Sequence, residues 1–237
     1  MANDNGYSRG MVVVAHADDA EFGCSGTVAK WCKQGMEFTY VLCTDGSKGS
    51  DDPQMTSEIL AAIRQTEQQN ACNVLGVKNL VFLGYPDAML EATLSVRRDI
   101  TSAIRKYKPD VIICQSPIRG FIGRGYLSHP DHLAAGEATL SAVFPSSRDR
   151  LTFPELLEEG LEPHKVQEVL IMGWDRSDIN KWVELTLDEV QTATQALKQH
   201  VSQLSNPAVD DMMLKGRARS GLAAGMEYAE GFRSILL

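Results

Sequence analysis

The chain has 237 residues, 43% of them hydrophobic and 23% charged, which is ordinary globular usage and too apolar for a disordered protein. Its 23 Lys and Arg against 31 Asp and Glu give a formal charge of -8, a sign that repels polyphosphate backbones and speaks against nucleic acid as a partner. No apolar stretch approaches the roughly 18 residues of a membrane span, and residues 1–10 are polar without a signal-like core, so no membrane partner and a cytoplasmic location are expected.

Residues 1–10 read as a flexible N-terminal tail and 11–237 as a single domain. In chain order, the predicted elements are an apolar run at 11–15, a helix over 27–34, a run at 38–43 and a helix over 57–75. A run at 80–83, a helix over 94–108, a run at 111–114 and a helix over 133–143 follow. A run at 169–172, an edge strand at 182–185 and a helix over 187–204 complete the set. The five runs are apolar throughout, as strands covered on both faces are, and Gly35, Gly76 and Pro109 stand where helices stop. This alternation predicts an α/β fold, one Rossmann-like domain with a mostly parallel sheet and helices on both faces. The long connections 45–56, 116–128 and 145–165 are candidate walls of a site. Residues 206–237 have weak periodicity and receive no element. Five scattered cysteines without a C-x-x-C pair read as reduced core thiols.

Open parallel sheets bind ligands outside the carboxyl ends of their strands. After the first predicted strand, a dinucleotide binder would carry G-x-G-x-x-G, but the chain reads AHADDAEFGCSG from Ala15 to Gly26, a concentration of His16, Asp18, Asp19 and Glu21 instead. A second cluster, Ser128-His129-Pro130-Asp131-His132, follows the long loop after the fourth strand. Three of the five histidines fall in these two strand-end clusters. Pro130 suits a first helical position and Asp131 the positive end of the helix dipole. Two imidazoles and a carboxylate suit a catalytic zinc with one open position, and they equally describe the facial triad of non-haem iron, so ligand types alone leave Zn2+ and Fe2+ both open.

The segment from Ala15 through Thr27, together with His129 to His132, resembles the signature pair of the LmbE-like (PIG-L) family of zinc-dependent N-deacetylases. Ala17 stands where proline is usual and Ser25 where glycine is usual, and neither change removes a reactive group. The resemblance implies a hydrolase that removes an N-acyl group, above all N-acetyl, from an amino sugar such as an N-acetylglucosamine conjugate. Carried onto this chain, it makes His16, Asp19 and His132 the metal ligands and Asp18 the general base. His129 would polarise the amide oxygen, with Asp131 orienting its ring. Arg64, Asp87 and Tyr126 would contact the sugar, although Arg64 also reads as a helix-surface ion pair and Asp87 as a turn residue. A catalytic tyrosine of some relatives falls at Leu127 here, one place after Tyr126. The resemblance further implies a homo-oligomer, a trimer or hexamer. From a different class, a non-catalytic metal- or sugar-binding Rossmann-like module remains an alternative, as does an iron oxygenase. His164 and His200 read as surface residues, and Glu21 as a helix-start acid.

Overall fold

In the computed structural model, residues 6–119, 121–122, 126–172 and 179–237 are described, with the side chains at 121, 122 and 126 outside the description. The strands are β1 (Arg9–Val14), β2 (Glu37–Thr44), β3 (Asn79–Tyr85), β4 (Val111–Gln115), β5 (Phe121–Ile122), β6 (Tyr126–Leu127), β7 (Glu168–Met172), β8 (Lys181–Leu185) and β9 (Tyr228–Leu236). The helices are α1 (Asp19–Gly23), α2 (Ser25–Lys33), α3 (Ser57–Leu75), α4 (Leu94–Tyr107), α5 (Pro130–Ser141), α6 (Glu155–Glu158), α7 (Leu187–Leu197) and α8 (Val209–Ala224).

Seven strands form one sheet in the order β3-β2-β1-β4-β7-β9-β8, while β5 and β6 form a separate two-stranded hairpin. The β1–β2, β1–β4, β2–β3 and β4–β7 pairs are parallel, and β9 runs antiparallel to both β7 and β8. Period-two alternation divides β1 between two cores. Val12 and Val14 join Tyr40, Val28 and Trp31 on one face, while Met11 and Val13 join Ile100, Ile104 and Ala138 on the other. The apolar character of the central strands follows from this double covering, each fully buried aliphatic side chain contributing about 1.5–3 kcal/mol. Helix starts follow local chemistry: Thr56 and Thr93 accept backbone N–H bonds as caps, and Thr186 with Glu189 forms a capping box.

Several boundaries differ from the sequence expectation. The tail expected over 1–10 is anchored within that stretch: Tyr7 is buried, Arg9 and Gly10 belong to β1, and Asp110 accepts bonds from the Ser8 and Arg9 N–H groups. Helix α7 stops at Leu197 instead of 204, because the Ser202 N–H and hydroxyl bond the Glu67 carboxylate (both 2.7 Å) and turn the chain back. The C-terminal stretch without an assigned element contains α8 and β9, and β9 inserts between β7 and β8. Among the described residues, no helix is long and apolar enough to cross a membrane.

One residue explains why this insertion is stable. Glu230 on β9 is buried, accepts bonds from the Gly26 and Thr27 N–H groups at the start of α2 (3.1 and 2.8 Å), and pairs with Arg217 of α8 (2.9 Å). A helix N-terminus is a natural seat for such a carboxylate. Gly26 is required by the approach, since a Cβ there would lie 2.5 Å from Leu185 Cδ1 and 3.0 Å from Glu230 Oε1.

Candidate metal and acid–base site

Strand order reverses its direction of growth at β1 and β4, so their carboxyl ends flank a crevice. His16 lies two residues beyond β1. His129 caps α5, reached from β4 through the β5–β6 hairpin, and His132 stands on the first turn of that helix. The three imidazoles gather at this point, with ring centroids 4.9 Å (His16–His129), 5.3 Å (His16–His132) and 5.4 Å (His129–His132) apart.

Carboxylates close the cluster. Asp19 reaches both expected partners, with Oδ2 3.4 Å from His16 Nδ1 and Oδ1 3.0 Å from His132 Nε2, and it also accepts the His16 N–H at 2.7 Å. His16 Nε2 lies 3.0 Å from Asp87 and 3.2 Å from Asp131. Donor atoms within 4.8 Å of one another are those of His16, His129 and His132, and those of His16, Asp87 and Asp131; Asp19 joins through its separate contacts to His16 and His132. Burial opposes charge on His16, but its bonds to Asp131, Asp19 and Asp87 outweigh that and raise it to about 12. Burial would likewise raise Asp19, yet His132 and His16 hold it far below the usual carboxylate range. Three carboxylates converging on one imidazole, with two further imidazoles beside it, make a donor set that fits a metal ion.

Asp18, next in sequence to Asp19, has a left-handed backbone (φ 85°) that a non-glycine residue adopts only under constraint. The constraint is visible: its N–H donates to Gln68 Oε1 (3.3 Å), while the preceding Ala17 carbonyl accepts from Arg64 (2.8 Å). Burial, and then the neighbouring Asp19 carboxylate, raise Asp18 to about 7 against the pull of Arg64. A carboxyl group at that value suits proton transfer near neutrality. His129 is built as a donor. Its Nδ1 accepts the Asp131 N–H (3.2 Å), so the neutral ring carries its proton on Nε2, and burial together with the His16 charge lowers its pKa.

The remaining expected residues have other partners. Asp131 is fully buried, accepts the Ala88 and Leu90 N–H groups, and lies closer to His16 (3.2 Å) than to His129 Nδ1 (3.8 Å), so it braces His16 more directly than the His129 ring it was expected to orient. Arg64 is buried, with donors engaged by the Ala17, Gly46 and Lys48 carbonyls, and it stands 3.7 Å from Asp18 and 3.8 Å from Asp87. Asp87 is buried as well; burial would raise its carboxyl, but His16, the Lys48 N–H and Arg64 bring it down to about 2. Both residues thus also hold loops at the base of the site. Tyr126 belongs to β6, and its side chain lies outside the described residues.

Sequence reasoning missed two features. Glu21, Gln68 and His200 are all fully buried behind Asp18: Gln68 Nε2 donates to Glu21 Oε1 (3.0 Å), and Glu21 Oε2 lies 3.3 Å from His200 Nε2. His200, expected at the surface, is brought there by the early end of α7. The second is a cleft of about 580 Å³ that opens from Asp18, Asp19 and His132 toward α8 and β9. Its far wall comes from the stretch that carried no readable periodicity.

Fold and cluster together define a class, an α/β enzyme whose parallel strands deliver a His/Asp site able to hold a metal. The GlcNAc-PI de-N-acetylase (PIG-L) family matches residues 11–143, more than half of the chain, and the chain belongs to that family. It is 30% identical over 235 residues to the diacetylchitobiose deacetylase of Thermococcus kodakarensis, covering 98% of this chain and 84% of that protein. It is 28% identical to a probable N-acetyl-alpha-D-glucosaminyl L-malate deacetylase 2 of Bacillus anthracis, covering 93% and 91%. The solved N,N'-diacetylchitobiose deacetylase of Pyrococcus horikoshii, complexed with its inhibitor MPG, superposes with a TM-score of 0.88 at 28% identity, covering 98% and 85%.

Proposed function

We infer that the chain is a metal-dependent N-deacetylase, with zinc as its ion, that hydrolyses the N-acyl amide of an amino sugar such as an N-acetylglucosamine conjugate. The relatives just described are deacetylases of N-acetylated sugar compounds, in keeping with this reading. His16, Asp19 and His132 would hold the ion, with Asp131 and Asp87 bracing the far nitrogen of His16 as carboxylates commonly brace a ligand imidazole. When bound, such an ion supplies Lewis acidity and lowers the pKa of water to about 7.

Asp18 takes a proton from the attacking water and returns it to the leaving amine. His129 donates its Nε2–H to the oxyanion that develops on the amide oxygen, an interaction worth about 3 kcal/mol in comparable sites. The acyl carbon gains the water oxygen, the C–N bond breaks, and a carboxylic acid and a free amine leave. The observation that carries this reading is the adjacency of a carboxylate poised near neutrality to a cluster of imidazoles and carboxylates. The test is metal analysis of protein purified without added metal, followed by amine and acetate assay on N-acetylglucosamine and N,N'-diacetylchitobiose. Equimolar products, lost on chelation and restored by zinc, are expected. Absence of amine release across the panel would refute the deacetylase reading, and recovery with ferrous ion alone would replace zinc by iron.

A further inference from the structure

The two sides of the His/Asp cluster differ in chemistry. Toward α3 stand Asp87, Arg64 and the half-exposed His129. On the opposite side, the cleft of about 580 Å³ is walled by Phe22 of α1, Met172 of β7, Ile179, Gly216 of α8, and Ala229 and Gly231 of β9. Phe22 is 42% exposed and presents its ring at the cleft. The charged side chains of this wall, Arg217 and Glu230, are engaged with each other and with the ends of α1 and α2. Its size falls in the range of small-molecule sites, and an acetyl methyl would fill only a small part of it.

We propose that this cleft receives the acyl group of the substrate, and that the enzyme acts on amino sugars whose N-acyl chain is longer and more apolar than acetyl. The proposal rests on the deacylase reading above and names the side of the scissile amide that determines specificity. An amide at the cluster has a hydroxyl-rich sugar on its nitrogen side and an acyl chain on its carbonyl side; the polar flank suits the first and the apolar cleft the second. Hydrolysis of the longer amide balances as before, water oxygen joining the acyl carbon and the sugar leaving as free amine, with a longer carboxylic acid as the other product. Burial of each added methylene corresponds to roughly a fourfold gain in kcat/KM until the cleft is filled. Gly216 is the position that reads this directly, because a Cβ there would meet no atom within 4 Å and a larger side chain would grow into the opening.

The experiment compares kcat/KM along two series on the zinc-loaded enzyme. One is glucosamine N-acylated with acetyl, butanoyl, hexanoyl or octanoyl; the other is N-acetylglucosamine carrying methyl, butyl, hexyl or octyl as the glycoside. Binding of acetate and octanoate to the protein without added metal gives a readout independent of turnover. A hexanoyl-to-acetyl ratio of at least ten, tighter binding of octanoate than of acetate, and collapse of both preferences in Gly216→Phe are expected. Gly216→Leu gives an intermediate loss and stands in should the phenylalanine variant not fold, while the wild-type series reads the preference without any variant. Hydrolysis of the acetyl compound with a ratio at or below one overturns the proposal, as does a gain confined to the glycoside series or a preference unmoved by either Gly216 variant. Failure of every compound in both series overturns the deacylase reading itself, and this inference with it.

Discussion

The turn after β1 and the α8–β9 segment face each other across the same cleft, and they are held by different physics. The turn from His16 to Glu21 is dense with titratable groups fixed by hydrogen bonds: Asp19 to the His16 N–H, Gln68 to the Asp18 N–H, and Arg64 to the Ala17 carbonyl. Across the cleft, the wall is largely apolar and is fastened to the body through the buried Arg217–Glu230 pair and its bonds to helix ends. Reactive groups placed 3 Å apart need a rigid frame, since small displacements at a reacting centre carry large penalties in rate. A surface that accommodates an apolar group needs volume and shape more than exact angles. The comparison therefore separates two kinds of consequence: changes in the turn should lower turnover, and changes in the wall should lower stability or shift preference.

The largest expected effect tests the turn. Asp18→Asn keeps the shape of the side chain but removes the proton acceptor, so kcat should fall by about 10²- to 10⁴-fold with metal content unchanged. His132→Ala should instead lose both activity and metal, since it deletes a proposed ligand beside Asp19. Steady-state kinetics paired with elemental analysis separates the two. An Asp18→Asn enzyme with undiminished turnover would remove Asp18 from the acid–base role, and retention of metal by His132→Ala would remove that histidine from the ligand set.

The wall is tested through Glu230→Gln. Nearly the same volume is kept, but Arg217 is left as a buried cation without its anion and α2 loses a charged cap. Breaking a buried pair from one side costs about 3 kcal/mol, and in a chain of this size that lowers Tm by roughly 6–12 °C. Thermal unfolding at neutral pH should show this drop. If the variant keeps its Tm, the wall is not held by this pair.

The same division explains what could be read in the sequence. Residues 57–75 form a helix with the expected bounds, because a capping threonine, three- and four-residue apolar spacing and Gly76 with φ 81° all act within one segment. The strand-end clusters were legible for a similar reason: His16 and Asp19 are three residues apart and meet through local bonds. β9 was not, since its register is set by strands more than 40 residues earlier and Glu230 has no local partner to mark it as buried until Arg217 and the start of α2 are brought beside it. His200 was misplaced in the same way. Its burial depends on the turn that Glu67 fastens at Ser202, a contact spanning 135 positions. Arg64 and Asp87 lie beside the cluster, but only the fold reveals that they also fasten loops, Arg64 through the Ala17 carbonyl and Asp87 through the Lys48 N–H.

A smaller effect sharpens the account of the turn. Gln68 touches neither an expected ligand nor the open cleft, yet its side chain links the strained Asp18 backbone to Glu21. Gln68→Leu should lower kcat by about tenfold while KM and metal content change little, because losing the bond that fixes Asp18 degrades orientation rather than binding. Gln68→Asn retains both an oxygen acceptor and an amide donor on a shorter side chain and should recover part of the loss. Equal changes in kcat and in thermal stability for both variants would mark the residue as packing alone.

The smallest effect belongs to the opposite end of the sheet and serves as the control for the whole comparison. Asp110 accepts the Ser8 and Arg9 N–H groups at 2.8 and 3.0 Å, far along the chain from the acid–base turn. Although burial pushes its carboxyl up, these bonds and the Ser8 hydroxyl outweigh it and leave the pKa below the usual value. A carboxyl lowered in the folded state contributes stability that is fully present above its unfolded pKa of about 3.9 and is lost as pH falls through the lower folded value. Because the group is substantially exposed, solvent screens the bonds, and Asp110→Ala should cost only about 0.5–1 kcal/mol at neutral pH. That difference from wild type should shrink as the unfolding experiment is moved down through the acidic range, with kcat at neutral pH unchanged throughout. A fall in kcat would show that the amino ends of the strands act on the chemistry at their carboxyl ends, and the separation between rigid turn and compliant wall would then have to extend through the full length of β1 and β4.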